Sequence, residues 1–288
     1  MPTPPPRTAS THRLFLLCLA LFAGSILFSV AGTVLLNFFP AQAGVALGWI
    51  AANLGLDLDA LIKGPTWVYM ALLPVLSLLL YLPDLGWTRS VLFLLWGSAI
   101  GAVAELLGTQ TGFPFGAYTY GDYLGAKLAG HVPWFIPPSW YAVAIIAYDL
   151  ARRMKVGTTA TIVWGAVFMV LWDVALDPAM SKAFPFWTYE TEGIFFGMPL
   201  SNWAGWFVTS LLIVWGFDRL LGGLQSAPAW APTLYALNVI FPVLICLLYG
   251  LPLAGLIGLV ALGVALAVVG SRGGRLLPTR SAPEVARV

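Results

Sequence analysis

The sequence predicts an all-α polytopic bundle of about eight membrane-spanning helices, and three observations predict it. Hydrophobic residues make up 60% of the chain and charged residues only 9%, where a soluble domain carries roughly 25% charged residues. Apolar runs recur at lengths near the ~20 residues that cross a bilayer core. The basic residues fall almost entirely on one side of the loops which those runs define. A chain this apolar cannot cover a water-facing surface, which excludes a soluble globular domain. Cys18 and Cys246 both lie inside apolar runs, and His12 and His131 stand far apart. No disulfide framework or metal site is expected to organise the chain. With no basic patch, no nucleic-acid partner is expected either.

The spans read, in order, 14–36, 66–82, 89–107, 138–151, 158–177, 202–220, 233–250 and 251–270. The first, with Arg7 and Arg13 before it and Ala41-Gln42-Ala43 after it, imitates a secretory signal. Its apolar run exceeds the roughly 7–15 residues of a signal core, which favours a retained helix. Val45 to Leu56 is apolar but too short to cross, and reads as an interfacial or re-entrant segment. The fourth span is short, and Pro137, Pro138 and Trp140 extend it at the interface. The last two are nearly continuous, but Gly250-Leu251-Pro252 supplies a tight turn between them.

Charge tests this count. With the N-terminus in the cytoplasm, Arg7, Arg13, Arg89, Arg152, Arg153, Lys155, Arg219, Arg272, Arg275, Arg280 and Arg287 all land inside. Only Lys63, Lys127 and Lys182 land outside. An odd number of spans spoils that asymmetry, so both termini are expected to be cytoplasmic. Residues 1–270 form a single transmembrane domain in this reading, and 271–288 a basic, disordered tail. Gly255, Gly258 and Gly263 offer a small-residue face that would serve a homo-oligomer.

One motif occurs twice. The third span ends in Glu105 and runs into Phe113-Pro114-Phe115-Gly-Ala-Tyr118. The fifth ends in Asp173-Val-Ala-Leu-Asp177 and runs into Phe184-Pro185-Phe186-Trp187-Thr-Tyr189. A turn-rich loop follows each, then a helix opening with Ser139-Trp140 in one copy and Ser201-Asn202-Trp203 in the other. In the eight-span topology spans 3–4 and 5–6 form a parallel repeat, with a site at its junction toward the outer half. Gly97, Gly101, Glu105 and Gly108 share one helix face, as do Thr161, Gly165, Met169, Asp173 and Asp177. Small residues on such a face turn it toward the bundle rather than lipid.

Ionisable groups at membrane depth cost several kcal/mol unless paired, and so suggest function. Plainer readings stand beside this one. Asp177 before Pro178 also fits a helix end, and Glu105 or Asp173 a structural hydrogen bond. Asp149 pairs with Arg152 or Arg153, while Asp122, Glu190, Glu192 and His131 fit solvated loops. Acids in an aromatic, apolar setting suggest acid chemistry on a hydrocarbon. A buried carboxyl favours its neutral form, and aromatic faces stabilise a cation by roughly 0.5–2 kcal/mol each. A second, ionised carboxylate would hold or deprotonate water.

GSAIGAVAELLGTQTGFPFGAYTYGDYLG, HVPWFIPPSWY, WDVALDP and FPFWTYETEGIFFGMPLSNWAGW together resemble the membrane-bound CruF-type carotenoid 1',2'-hydratases. Haloarchaeal bisanhydrobacterioruberin hydratases resemble them too. The likeness covers roughly residues 90–217. It implies a lyase that adds water across the terminal double bond of an acyclic end group, on lycopene or a monocyclic carotene drawn from lipid. It implies no redox or metal cofactor. For that reaction the acid is Asp173 or Glu105, with the other, or Asp177, holding the water. Tyr118, Trp187, Tyr189 and Trp203 are candidates for the cation-facing wall, and Asn202 for water binding. A lycopene cyclase would protonate the same end group but exclude water. A prenyltransferase lacks its second aspartate motif and basic partners here. A transporter or lipid carrier would leave the carotenoid unchanged.

Overall fold

A computed structural model describes residues 9–276, and these form eight α-helices with two small two-stranded ladders. Helix α1 (Ala9–Phe38) packs Phe15 and Phe22 inward, Phe22 stacking on Tyr69 at 4.7 Å. Helix α2 (Pro40–Leu54) starts at a proline and stops at Gly55, whose φ of 66° ends it in the left-handed region. At 15 residues it is too short to span, and Ala43 is its one buried residue. It begins five residues before the apolar segment that the sequence marked out.

Helix α3 (Leu58–Thr111) opens on Asp57, whose side chain accepts from the Ala60 N–H at 2.8 Å. It holds spans two and three in one continuous element. The expected loop at 83–88 shrinks to Gly86 alone, with φ 67° and ψ 170°, a backbone state that suits only glycine. The chain therefore reverses with almost no linker, leaving two arms, 58–85 and 87–111.

Helix α4 (Ile136–Arg153) takes its prolines in the first turn, where their missing N–H groups cost nothing. From Trp140 to Ala151 every residue is buried, which makes α4 the centre of the bundle. Helix α5 (Thr158–Asp177) runs into a π-helical turn (Pro178–Ala183). Helix α6 (Leu200–Trp215) ends in another such turn (Gly216–Leu220). Helices α7 (Ala231–Leu248) and α8 (Pro252–Ser271) meet at the expected turn, with Gly250 at φ 76°.

Six helices are long and apolar enough to cross a membrane. One of them, α3, consists of two arms broken at Gly86, each long enough for a span. Helix α4 carries Asp149, Arg152 and Arg153 but is 18 residues long and enclosed. The described residues thus form an all-α membrane bundle of eight helices, six of them with the length and apolarity of a span. The expected ion pair exists: Arg153 Nη2 lies 3.0 Å from Asp149 Oδ2, with both side chains buried. Arg153 also donates to the Pro228 and Arg275 carbonyls, and Arg89 to those of Leu221 and Gly223. The basic residues thus gather at one end of the bundle. Lys63, Lys127 and Lys182 pair with Asp59, Asp122 and Glu192 near the other end. Arg7, Arg280, Arg287 and most of the expected tail lie outside the described residues.

The glycines of α8 are used within the bundle. A Cβ on Gly258 would lie 2.5 Å from the Ala175 Cβ, and one on Gly255 would meet Leu247 at 2.9 Å. Gly263 has open space before it. The expected association face therefore packs α8 against α5 and α7 at two of its three positions.

Candidate active site

The two copies of the repeated motif lie against one another. Strand β1 (Tyr118–Tyr120) pairs antiparallel with strand β4 (Trp187–Tyr189), in the register Tyr118 to Tyr189, Thr119 to Thr188 and Tyr120 to Trp187. Strands β2 (Lys127–Leu128) and β3 (Val132–Pro133) close the first loop beside it. Tyr118 and Tyr189, the final residues of FPFxxY in each copy, face each other across the ladder with ring centroids 5.9 Å apart. Alternate strand residues share a face, so the ring-bearing positions turn inward while Thr119 and Thr188 are exposed.

Beneath this ladder are two nests of hydrogen bonds around acids. In the first, Glu105 at the end of α3 accepts from the Tyr118 hydroxyl, from the Tyr120 hydroxyl at 2.8 Å and from Trp140 Nε1 at 2.9 Å. In the second, Asp177 at the end of α5 accepts from Trp187 Nε1 at 3.0 Å, the Tyr189 hydroxyl at 2.7 Å and Asn202 Nδ2 at 2.8 Å. The plan repeats. In each copy the FPFxxY tyrosine binds its own acid, and so does the residue after the serine that opens the next helix, Trp140 or Asn202.

The second nest has one more member. Asp173, one turn before Asp177, is 1% exposed and accepts from Asn202 Nδ2 at 3.0 Å through Oδ2. Its Oδ1 is buried and has no hydrogen-bond partner. A carboxylate whose oxygens all face N–H or O–H donors matches the ionised form, which only accepts. A carboxyl with a bare oxygen has room for a proton there. Glu105 and Asp177 are of the first kind, and Asp173 is of the second.

Both nests line one cavity of about 110 Å³. Trp140, Trp172 and Trp206 form much of its floor, Trp140 and Trp206 stacking at 4.1 Å and Trp172 meeting Trp206 edge-on at 5.5 Å. Close helix approach makes this possible. A Cβ on Gly101 would lie 2.6 Å from Trp140, and one on Gly205 2.6 Å from Phe115. The π-helical turn after Asp177 carries the chain away from α5 and back, placing Trp187 and Tyr189 over the acid they bind. Such turns are frequent at functional sites.

Of the residues singled out from sequence, Glu105, Asp173, Asp177, Tyr118, Trp187, Tyr189 and Asn202 all line this cavity. Trp203 does not; it packs on Phe195 at 4.7 Å. Trp206, one turn further along α6, lines the cavity instead. Tyr120, Trp140, Trp172 and Trp206 went unassigned in the sequence. The i, i+2 relation of Tyr120 to Tyr118 and the i, i+4 relation of Trp206 to Asn202 are signals that point to two of them. Asp122, Glu190, Glu192 and His131 are exposed. Lys127 at 2.9 Å holds the Asp122 carboxyl below its ordinary range.

Residues 66–266, more than two thirds of the chain, match the family described as carotenoid biosynthesis protein. The chain belongs to that family. The matched stretch takes in every helix that contributes to the cavity acids. The chain is similar to bisanhydrobacterioruberin hydratase of Haloarcula japonica, at 33% identity over 193 residues. That alignment covers 63% of this chain, and the chain spans 64% of the length of this curated relative. No solved structure matches the chain.

Proposed function

We propose that this family member is a carotenoid hydratase, adding water across the terminal C1'–C2' double bond of an acyclic carotene end group. The observation that carries the proposal is the unpartnered, buried Oδ1 of Asp173, a residue that lines an aromatic cavity beside two carboxylates which each accept from three side-chain donors. The relative's name, a hydratase, supports the reaction type.

The Asp173 carboxyl gives its proton to C2' of the alkene, and the π electrons form the new C–H bond. The positive charge settles on C1', which is tertiary. The faces of Tyr118, Trp187, Tyr189 and Trp206 stabilise it by roughly 0.5–2 kcal/mol each. A water held by Asp177 adds its oxygen to C1' and loses a proton to that carboxylate. Proton transfer between Asp177 and Asp173, which share Asn202, restores the starting state. The sum is alkene plus water giving a tertiary alcohol. No external oxidant or reductant is required. Glu105 serves as the fixed counter-charge across the cavity. In this reading the basic end of the bundle is cytoplasmic and the site lies toward the opposite face.

Pigments extracted from a lycopene-producing bacterium with and without this chain test the reading. The expected product is heavier by one water, carries the label when grown in ¹⁸O-water, and has a tertiary hydroxyl. A cyclic product of unchanged mass would replace the hydratase with a cyclase. Unchanged lycopene and monocyclic carotene, with the protein present in the membrane, would overturn the enzyme reading.

A further inference from the structure

A second cavity, of about 490 Å³, lies beside the first between α1, α2, the opening of α3 and α7. Its wall is mostly apolar, and it shares Ser29, Thr66, Met180, Phe186 and Phe241 with the acid-lined cavity. The two volumes are therefore neighbours through a common wall of mostly flexible or aromatic side chains. Helix α2 roofs the larger one with Ala43, Ala46, Leu47 and Ile50, which is the i, i+3, i+4, i+7 stripe of a single helix face. On its other side Val45 is 76% and Trp49 60% exposed. An apolar helix with an outer face for lipid and an inner face over a cavity is a cover, and not a span.

We propose that the cavity beneath α2 holds the unreacted polyene chain of the substrate, while the end group reaches past Met180, Phe186 and Phe241 to the acids. This deepens the hydratase reading and rests on it for the identity of the occupant. Three observations select a long hydrocarbon. The outer cavity shares a wall with the site. Its lining is mostly apolar, and the polar side chains of Thr33, Asn37 and Thr66 already donate to backbone carbonyls. Its roof faces the lipid in which such a molecule dissolves. The acid-lined cavity alone is far too small for a long isoprenoid, so the remainder of the chain needs a berth that begins at the shared wall. The fold thus selects substrates by the length of apolar chain behind the reacting end.

Two measurements on the full-length protein in membranes test this. Leu47→Trp and Ile50→Trp fill the outer cavity without touching the acids. Each is expected to lower kcat/KM on lycopene about tenfold or more, an overpacking penalty of ordinary size. Turnover of a short isoprenoid hydrocarbon with the same gem-dimethyl end group is expected to change less than about threefold. Equal losses on both substrates, or no loss on either, overturn the proposal. The second measurement needs no turnover. In an Ala46→Cys, Asp173→Asn protein the native Cys18 and Cys246 are buried, so a thiol reagent reports position 46. Lycopene is expected to slow its labelling several-fold, and the short hydrocarbon to leave it unchanged. Protection by lycopene without any wild-type hydration would sink the hydratase reading and keep the berth. Hydration without protection would sink the berth and keep the hydratase.

Discussion

The two copies of the acid motif differ in how their carboxyls are partnered. In the first, a single carboxyl, Glu105, meets three donors, and the nest is closed. In the second, two carboxyls a turn apart share Asn202, and one oxygen of Asp173 is left bare. Where the first copy places the bulky Trp140 after its serine, the second places the small amide of Asn202, which reaches both acids. The shared plan, a tyrosine from the strand and a donor from the next helix, builds a frame. The departure from it supplies a group free to react. In the proposed mechanism the closed nest fixes charge and geometry, while the incomplete one holds the proton.

The contrast yields graded expectations. Asp173→Asn removes the transferable proton and is expected to lower hydration at least a hundredfold with the fold intact, since general acid catalysis is typically worth about 10²–10⁴. Near-normal turnover in this variant, measured as hydroxylated product per unit of membrane protein, would break the distinction between the nests. Glu105→Gln and Asp177→Asn leave donors facing an amide. Charged hydrogen bonds are worth about 1.5–3 kcal/mol each, so losses of roughly ten- to a hundredfold are expected. In the proposed mechanism Asp177 holds the water, so its amide variant should show the lower kcat. Glu105→Gln should in addition unfold more readily in detergent, since its nest ties α3 to α4. The reverse ranking would exchange the roles of the two copies. Within the two nests the smallest effects are expected from Tyr118→Phe and Tyr189→Phe. Each removes one donor and keeps the ring, so turnover should fall about two- to tenfold. A similar fall in both would show that the shared plan acts alike in each nest.

A fourth comparison concerns the tryptophans. Trp206→Leu strips an aromatic wall from the cavity, whereas Trp203→Leu alters packing against Phe195. The first is expected to lower kcat by about tenfold, in line with the loss of a cation-facing ring. The second should leave kcat within about twofold, as substitutions away from the site usually do. Equal effects would mean that the wall extends beyond the cavity as it is lined here.

Much of this was legible in the residues. The spans followed from apolar length, and the acids' inward orientation from the glycine-bearing faces of α3 and α5, all of whose marked positions are buried. An ion pair of Asp149 with Arg152 or Arg153 followed from their closeness in the chain, and the structure selects Arg153. Local periodicity suffices for these, because a helix repeats its own geometry. It failed at Gly86, where one residue did the work of a loop, and at Trp203. There the helix phase at the start of α6 depends on how Pro199 enters it, which no pattern in the sequence records.

The sequence by itself determined that the chain is a membrane bundle and that it carries two matching acid motifs, since hydrophobic length and recurrence are properties of the chain alone. Only the tertiary structure decided that Tyr118 pairs with Tyr189, that Asn202 joins two acids and that Asp173 keeps a bare oxygen. Those facts depend on which donors arrive from other helices. A hydrogen bond needs about 3 Å and good alignment, and contacts that exact are set by packing between segments distant in the chain.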